Sequence, residues 1–177
     1  MKKLFVTFVA IILFIFAAKA QTFKENYKIV NVGISLGNSF TVGVISIPPI
    51  SASLDYGFSD KISLGIYLAY CYSKQDYSST FGTTAMWNYS YTIFGIRGAY
   101  HFYNTDKIDA YGGLLLANDL ASKKWDGPQN RPGAENVGGF TYSLFAGGRY
   151  YFDKKYAAFA ELGFGAVYLT VGLAIKL

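Results

Sequence analysis

From Tyr168 to Leu177 the chain alternates between two kinds of position. Leu169, Val171, Leu173, Ile175 and Leu177 share one parity, and Thr170, Gly172, Ala174 and Lys176 share the other. Successive side chains of a β-strand point to opposite faces, so this segment reads as a strand with one aliphatic face and one small or polar face. Seven earlier segments repeat the pattern. Lys28–Gly37 sets Val30, Val32, Ile34 and Leu36 against Asn31, Gly33, Ser35 and Gly37, and Pro49–Phe58 sets Ile50, Ala52, Leu54, Tyr56 and Phe58 against Ser51, Ser53, Asp55 and Gly57. Lys61–Tyr72 carries Ile62, Leu64, Ile66, Leu68, Tyr70 and Tyr72 on one side. In Trp87–Phe102, Phe94, Ile96, Tyr100 and Phe102 oppose Gly95, Arg97, Ala99 and His101. Ile108–Asn118 opposes Leu114 and Leu116 to Asp109, Tyr111 and Gly113, and Gly139–Phe152 opposes Tyr142, Leu144, Tyr150 and Phe152 to Ser143, Gly147 and Arg149. Tyr156–Gly165 opposes Ala158, Ala160, Leu162 and Phe164 to Phe159, Glu161, Gly163 and Gly165.

Most of the glycines and nearly all of the charges in these segments lie on the non-aliphatic parity. That is the arrangement expected when lipid lies outside a sheet and a tight polar lumen inside. A soluble lipid-carrying barrel requires the reverse. The connections alternate in length as well. Ser59-Asp60, Tyr103–Lys107 and Asp153–Lys155 are tight turns, whereas Asn38–Pro48, Ser73–Met86 and Asp119–Gly138 are long. Only the last long-side connection, near Ala166-Val167, is short. The expected fold is all-β, an eight-stranded antiparallel up-and-down transmembrane β-barrel. Its short turns and both termini are expected to be periplasmic, and its loops extracellular. One stretch resists the pattern: Trp87, Tyr89 and Tyr91 share the parity of inward Gly95 and Arg97. Either a bulge near Ile93-Phe94 swaps the faces, or that end projects beyond the bilayer.

The first twenty residues read as a secretory leader. Met1-Lys2-Lys3 is a basic head, Leu4–Ala18 is apolar apart from Thr7, and Ala18-Lys19-Ala20 has the small-x-small form of a cleavage site. The apolar run is shorter than the roughly 20 residues of a spanning helix. The organisation is therefore a signal peptide, 1–20, and one barrel domain, 21–177. Three of the sixteen basic residues fall in the leader, leaving thirteen against eleven acidic ones, so the basic balance is no sign of a nucleic-acid partner. Cys71, the one cysteine, cannot form an intrachain disulfide and shares the inward parity, where it reads as a small filler.

Aromatic pairs Tyr56/Phe58, Tyr100/Phe102 and Tyr150/Phe152 each precede a short turn on the outward parity. Amphipathic rings favour the headgroup level, so the three pairs predict one girdle, with Tyr70, Tyr72, Phe140, Tyr142 and Phe164 forming the other. The inward charges are Asp55, Lys61, Arg97, His101, Asp109, Arg149, Glu161 and Lys176. Folding each hairpin about its turn brings Asp55 near Lys61, sets His101 against Asp109, and puts Arg149 diagonal to Glu161. An eight-stranded barrel is filled by side chains, and buried charges must be paired, so the expectation is a plugging salt-bridge network with Glu161, Arg97 and Arg149 near its middle.

His101, the one histidine, lies beside a periplasmic turn, the wrong end for chemistry outside the cell. Asp76, Asp119, Asp126 and Glu135 read as solvated loop carboxylates without a base beside them. No metal-ligand spacing or phosphate-cradling motif is present, and no cofactor is expected. Lys123, Lys124, Trp125 and Arg131 in the longest loop are the candidate contacts for an external partner, with Trp125 folded back on the rim as the plainer alternative.

Ala110-Tyr-Gly-Gly-Leu114, Ala146-Gly-Gly-Arg-Tyr-Tyr-Phe152 and Phe159-Ala-Glu-Leu-Gly-Phe-Gly165, followed by the terminal strand, resemble the small outer-membrane β-barrel proteins of the OmpX/OmpA-barrel and Opa type, often labelled porin-family. The resemblance covers nearly the whole chain. It implies insertion by the barrel assembly machinery, which in such proteins reads the last strand and usually a terminal aromatic residue; Leu177 departs from that. It supplies no shared activity. The functional expectation is a monomeric, non-enzymatic barrel in contact with outer-membrane lipid, acting structurally or through its loops on an extracellular ligand or host surface. The alternatives are a narrow pore or a barrel enzyme acting on lipid.

Overall fold

The computed structural model describes residues 22–77, 85–128 and 133–177; the expected leader, its cleavage site and Arg131 lie outside them. Eight strands follow in order: β1 (Lys28–Asn38), β2 (Val44–Gly57), β3 (Ile62–Asp76), β4 (Met86–Asn104), β5 (Ile108–Asp126), β6 (Gly139–Tyr151), β7 (Tyr156–Gly165) and β8 (Val167–Lys176). Each pairs antiparallel with its neighbours in sequence, and β1 pairs with β8, so the sheet closes into an up-and-down barrel.

The faces fall where the alternation puts them. Ile66, Ile96, Leu144, Leu162 and Leu173 are more than half exposed on the outer wall, while Asp55, Arg97, Asp109 and Arg149 are buried within. This inverts a water-soluble domain, whose charged groups are seldom fully buried. Small residues let the interior close. A Cβ on Gly113 would run into the carbonyl of Gly98 and the Phe145 ring, and one on Gly172 into the carbonyl of Val32.

Three strands are longer than their periodicity suggested. β3 runs on to Asp76, and β5 continues to Asp126, through residues read as loop. β2 begins at Val44, inside the expected first loop. The β3–β4 register is unbroken from Ile62↔Tyr100 to Asp76↔Met86, so the bulge near Ile93-Phe94 does not exist. Trp87, Tyr89 and Tyr91 point inward because their parity says so, and they are buried. Phe40, from the β1–β2 connection, packs on them and on Tyr67, Ala69, Ile93 and Leu115, corking the loop end. Asp119 is likewise no solvated loop residue: it sits on β5 and is 4% exposed. Its inward parity, not its distance from the turns, decides this.

The wall divides toward the loop end. β1 and β2 pair only as far as Ile34↔Ile50, beyond which β1 follows β8. There the β2–β3 register shifts twice between Ile45 and Ile50, around Pro48 and Pro49. Proline has no N–H to give a ladder and is tolerated at such a free edge.

Replacing Gly113 with Val is expected to lower the folded yield sharply. Overpacking of this kind costs on the order of 1–3 kcal/mol, readable as a lower urea midpoint of unfolding; Ala110→Val on the outer wall should fold as the parent does.

Candidate functional site

The lumenal charges are brought together by strands that are not sequence neighbours. Arg149 on β6 is wholly buried and all of its nitrogens are used. Its Nη1 donates to Asp109 Oδ2 at 2.8 Å, Nη2 to Asp55 Oδ2 at 2.7 Å and Nε to Asn31 Oδ1 at 3.0 Å. Arg97 on β4 reaches across to β7: Nη2 donates to Glu161 Oε1 at 2.7 Å, and Nε pairs with Asp55 Oδ1 at 3.2 Å. Asp55 is thereby shared between the two guanidiniums. Both cations also lie over ring faces, Arg97 above Phe145 and Arg149 above Tyr111, each 4.3 Å from the centroid. Glu161 Oε1 accepts the Tyr111 hydroxyl at 2.8 Å. Side chains opposite Gly65 and Gly147 occupy the room those glycines leave, Asp55 beside the first and Glu161 beside the second.

This geometry corrects two of the expected pairs. Asp55 does not meet Lys61, which lies exposed in the turn outside β3; its partners are Arg97 and Arg149. Arg149 does not pair with Glu161, which belongs to Arg97 and Tyr111. Hairpin reasoning sees only adjacent strands, whereas long side chains in a closed cylinder meet across the lumen. The third pair stands: His101 Nδ1 lies 2.6 Å from Asp109 Oδ1. Lys176 is on the inward parity but outside the ionic network. Its ammonium lies 4.8 Å from the Tyr27 ring centroid and 5.2 Å from that of Tyr151, at the turn end.

Asn31, Ser63 and Tyr111 complete the network and were absent from the charge-based set. Their inward parity was the available signal. An enclosed space of about 30 Å³ lies beside Arg97 and Glu161, lined also by Tyr67 and Phe145. That is room for about one water molecule.

His101 Nε2 is 3.0 Å from Ser63 Oγ, so Ser63, His101 and Asp109 reproduce the contacts of a nucleophilic triad. Three further features surround the cluster. Asp109 spends its second oxygen on Arg149, all three residues are at most 2% exposed, and the Phe23 ring lies flat on the imidazole at 3.6 Å and 4°. Phe23 belongs to the segment before β1, which crosses the turn-end mouth.

At the loop end, Lys123 and Lys124 are exposed on β5. Trp125 is turned inward. Its ring packs against Trp87 at 5.2 Å and Tyr77 at 6.4 Å, and its Nε1 donates to the Pro128 carbonyl at 2.7 Å. The six turn-side rings Tyr56, Phe58, Tyr100, Phe102, Tyr150 and Phe152 are all outward and between 41% and 64% exposed.

No protein-family model matches the chain, and no curated protein sequence does. Solved structures do. Outer membrane protein OprG of Pseudomonas aeruginosa superposes with a TM-score of 0.65 at 12% identity, covering 90% of this chain and 99% of that one. Ail of Yersinia pestis, in complex with the heparin analogue sucrose octasulfate, gives 0.58 at 10% identity, covering 86% and 99%. The N-terminal β-barrel domain of Pseudomonas aeruginosa OprF gives 0.53 at 14%, covering 87% and 99%. The chain has the fold of these outer-membrane barrels.

Removing one partner from the lumen should show which ions are buried. Glu161→Gln and Arg149→Met are each expected to destabilise by about 3–5 kcal/mol, the cost of orphaning a buried charge. Lys61→Met should leave the urea midpoint unchanged.

Proposed function

We propose that the protein is an integral outer-membrane barrel with a plugged lumen, its turns and termini in the periplasm, acting as a surface-contact protein through its loop end. The outer wall supports the membrane setting. On β6, outward rings lie from Phe140 and Tyr142 at one end to Tyr150 at the other, and Phe152 follows in the turn. Tyr142 to Tyr150 spans about 27 Å along a strand, or about 20 Å along the axis of a barrel tilted by about 40°, close to the ~25 Å apolar band of such proteins.

The observation that carries the contact reading is the blade formed by β2, β3, β4 and β5 beyond the last β5–β6 pair. β5 pairs with β6 only to Asp119↔Gly139, but with β4 as far as Asp126↔Met86. Among the described residues, seven of β5, Leu120–Asp126, therefore have a ladder on one side only. One-sided strands of this kind accept an added strand from a partner. On the blade's outer face, Lys74 and Lys124 flank Asn88 in one row, and Asp76 and Asp126 flank Met86 in the next. The charges balance there, so edge pairing, rather than attraction of a polyanion such as the one bound to Ail, is the recognition mode that the blade supports.

Orientation is testable with cysteine variants, because the native Cys71 is buried with its Sγ toward the Ile47 carbonyl. In intact cells a membrane-impermeant maleimide should label Lys124→Cys and leave Lys154→Cys unlabelled until the cells are lysed. The opposite result would reverse the topology, and labelling of neither would refute surface display.

We also read the barrel as non-enzymatic and needing no cofactor, since Ser63 is sealed and Asp109 is held by Arg149. A fluorophosphonate probe should leave the purified protein unlabelled; adduct formation at Ser63 would reverse that reading.

A further inference from the structure

We infer that residues Thr22–Tyr27 are a latch that seats only on a completed barrel and holds its turn end shut. The segment bends and closes in a turn, where Tyr27 N donates to the Lys24 carbonyl at 3.3 Å, and nearly every polar group at its start is taken. The Asn104 side chain reads it twice. Its Oδ1 accepts from Thr22 N at 2.8 Å, Thr22 Oγ1 at 2.8 Å and Phe23 N at 3.0 Å, and its Nδ2 donates to the Phe23 carbonyl at 2.6 Å. Thr22 N also lies 2.9 Å from the Thr105 carbonyl, and Lys176 Nζ donates to the Thr22 carbonyl at 3.4 Å. Phe23 is wholly buried against His101, in a cluster with Ile29, Tyr151, Ala157, Phe159 and Ala174. Farther along, Asn26 and Tyr27 exchange backbone bonds with Gly57, and the Tyr56 hydroxyl donates to Asn26 Oδ1 at 2.6 Å.

The socket is assembled from β2, β4, β6, β7 and β8, and no single hairpin contains it. Asn104 is 82 residues from Thr22, and Lys176 is 154 residues from it. Contacts of such sequence separation are entropically costly until the intervening chain is ordered. Lys176, moreover, stands at the end of the last strand, which pairs with β1 directly after the latch: Ile29 faces Lys176 across the closing seam. The latch therefore ties the seam to the far side of the mouth after the seam has formed. Asn26 sits at φ 66°, a left-handed backbone angle, at the bend where the latch turns into β1. Asn is among the few residues other than glycine that adopt such an angle readily.

Interactions absent from the folding transition state slow unfolding and leave folding alone. The full mature chain refolded in lipid vesicles, followed by urea-jump kinetics, should show this. Phe23→Ala and Asn104→Ala are expected to unfold at least tenfold faster while refolding within twofold of the parent rate. Phe58→Ala, a ring at the same end but on the outer wall, should change neither. A variant lacking residues 22–26 should regain slow unfolding when the free peptide Thr-Phe-Lys-Glu-Asn is added, and not with the same residues scrambled. Unchanged unfolding in both point variants would overturn the latch. So would refolding that slows in step with, or fails in, Phe23→Ala, because the segment would then be part of barrel formation rather than its seal.

Discussion

Everything in this molecule follows from enclosing ions in a cylinder whose wall is greasy on the outside. Arg97 and Arg149 are held by Asp55, Asp109 and Glu161, with two aromatic faces above the guanidiniums. An unpaired ion in such a place is expensive, and a paired one ties together the strands that supply it. The five ionic residues come from β2, β4, β5, β6 and β7, so the network braces the barrel across its diameter as the ladder braces it around its circumference. The inward glycines make this possible by leaving space where carboxylates must lie.

Both ends of the lumen are closed by a phenylalanine carried on a non-strand segment. Phe23 lies on His101 at the turn end, and Phe40 packs among Tyr67, Ile93 and Tyr91 at the loop end. The charged middle lies between these two rings, with Arg97 and Arg149 at most 5% exposed. The two ends differ: one is bound down by the segment before β1, whereas at the other β2, β3, β4 and β5 run on beyond the last β5–β6 pair.

The alternation of residues made the fold legible. Period-2 segments gave the number of strands, their faces and their order, because a closed meander has a single way to put Val171 and Leu173 outside and Arg149 and Glu161 inside. Membership of the lumen was legible too, except for Lys61, which lies just past the turn where parity no longer binds. Pairing was harder to read. Neighbouring-strand geometry found His101 with Asp109 but could not find Arg97 with Glu161, whose strands are three apart. Strand ends at the blade were missed because the aliphatic row of β5 stops at Leu120, so Lys123 and Lys124 looked like loop. The latch was invisible for a different reason. Thr22 and Phe23 show no periodicity, and their importance lies entirely in the cavity mouth they enter.

The outer wall asks little of its side chains beyond being apolar, since Leu, Ile, Val and Phe all stand on it without a packing partner outside. The inner face is far stricter, because Gly113 and Gly172 have no room for a carbon and Arg149 no spare donor. Alternate positions of each strand are thus under almost opposite evolutionary rules. A lineage can drift through half its residues while the architecture stands still. The likeness in shape between this barrel and OprG, at 12% sequence identity, is compatible with so loose an outer face.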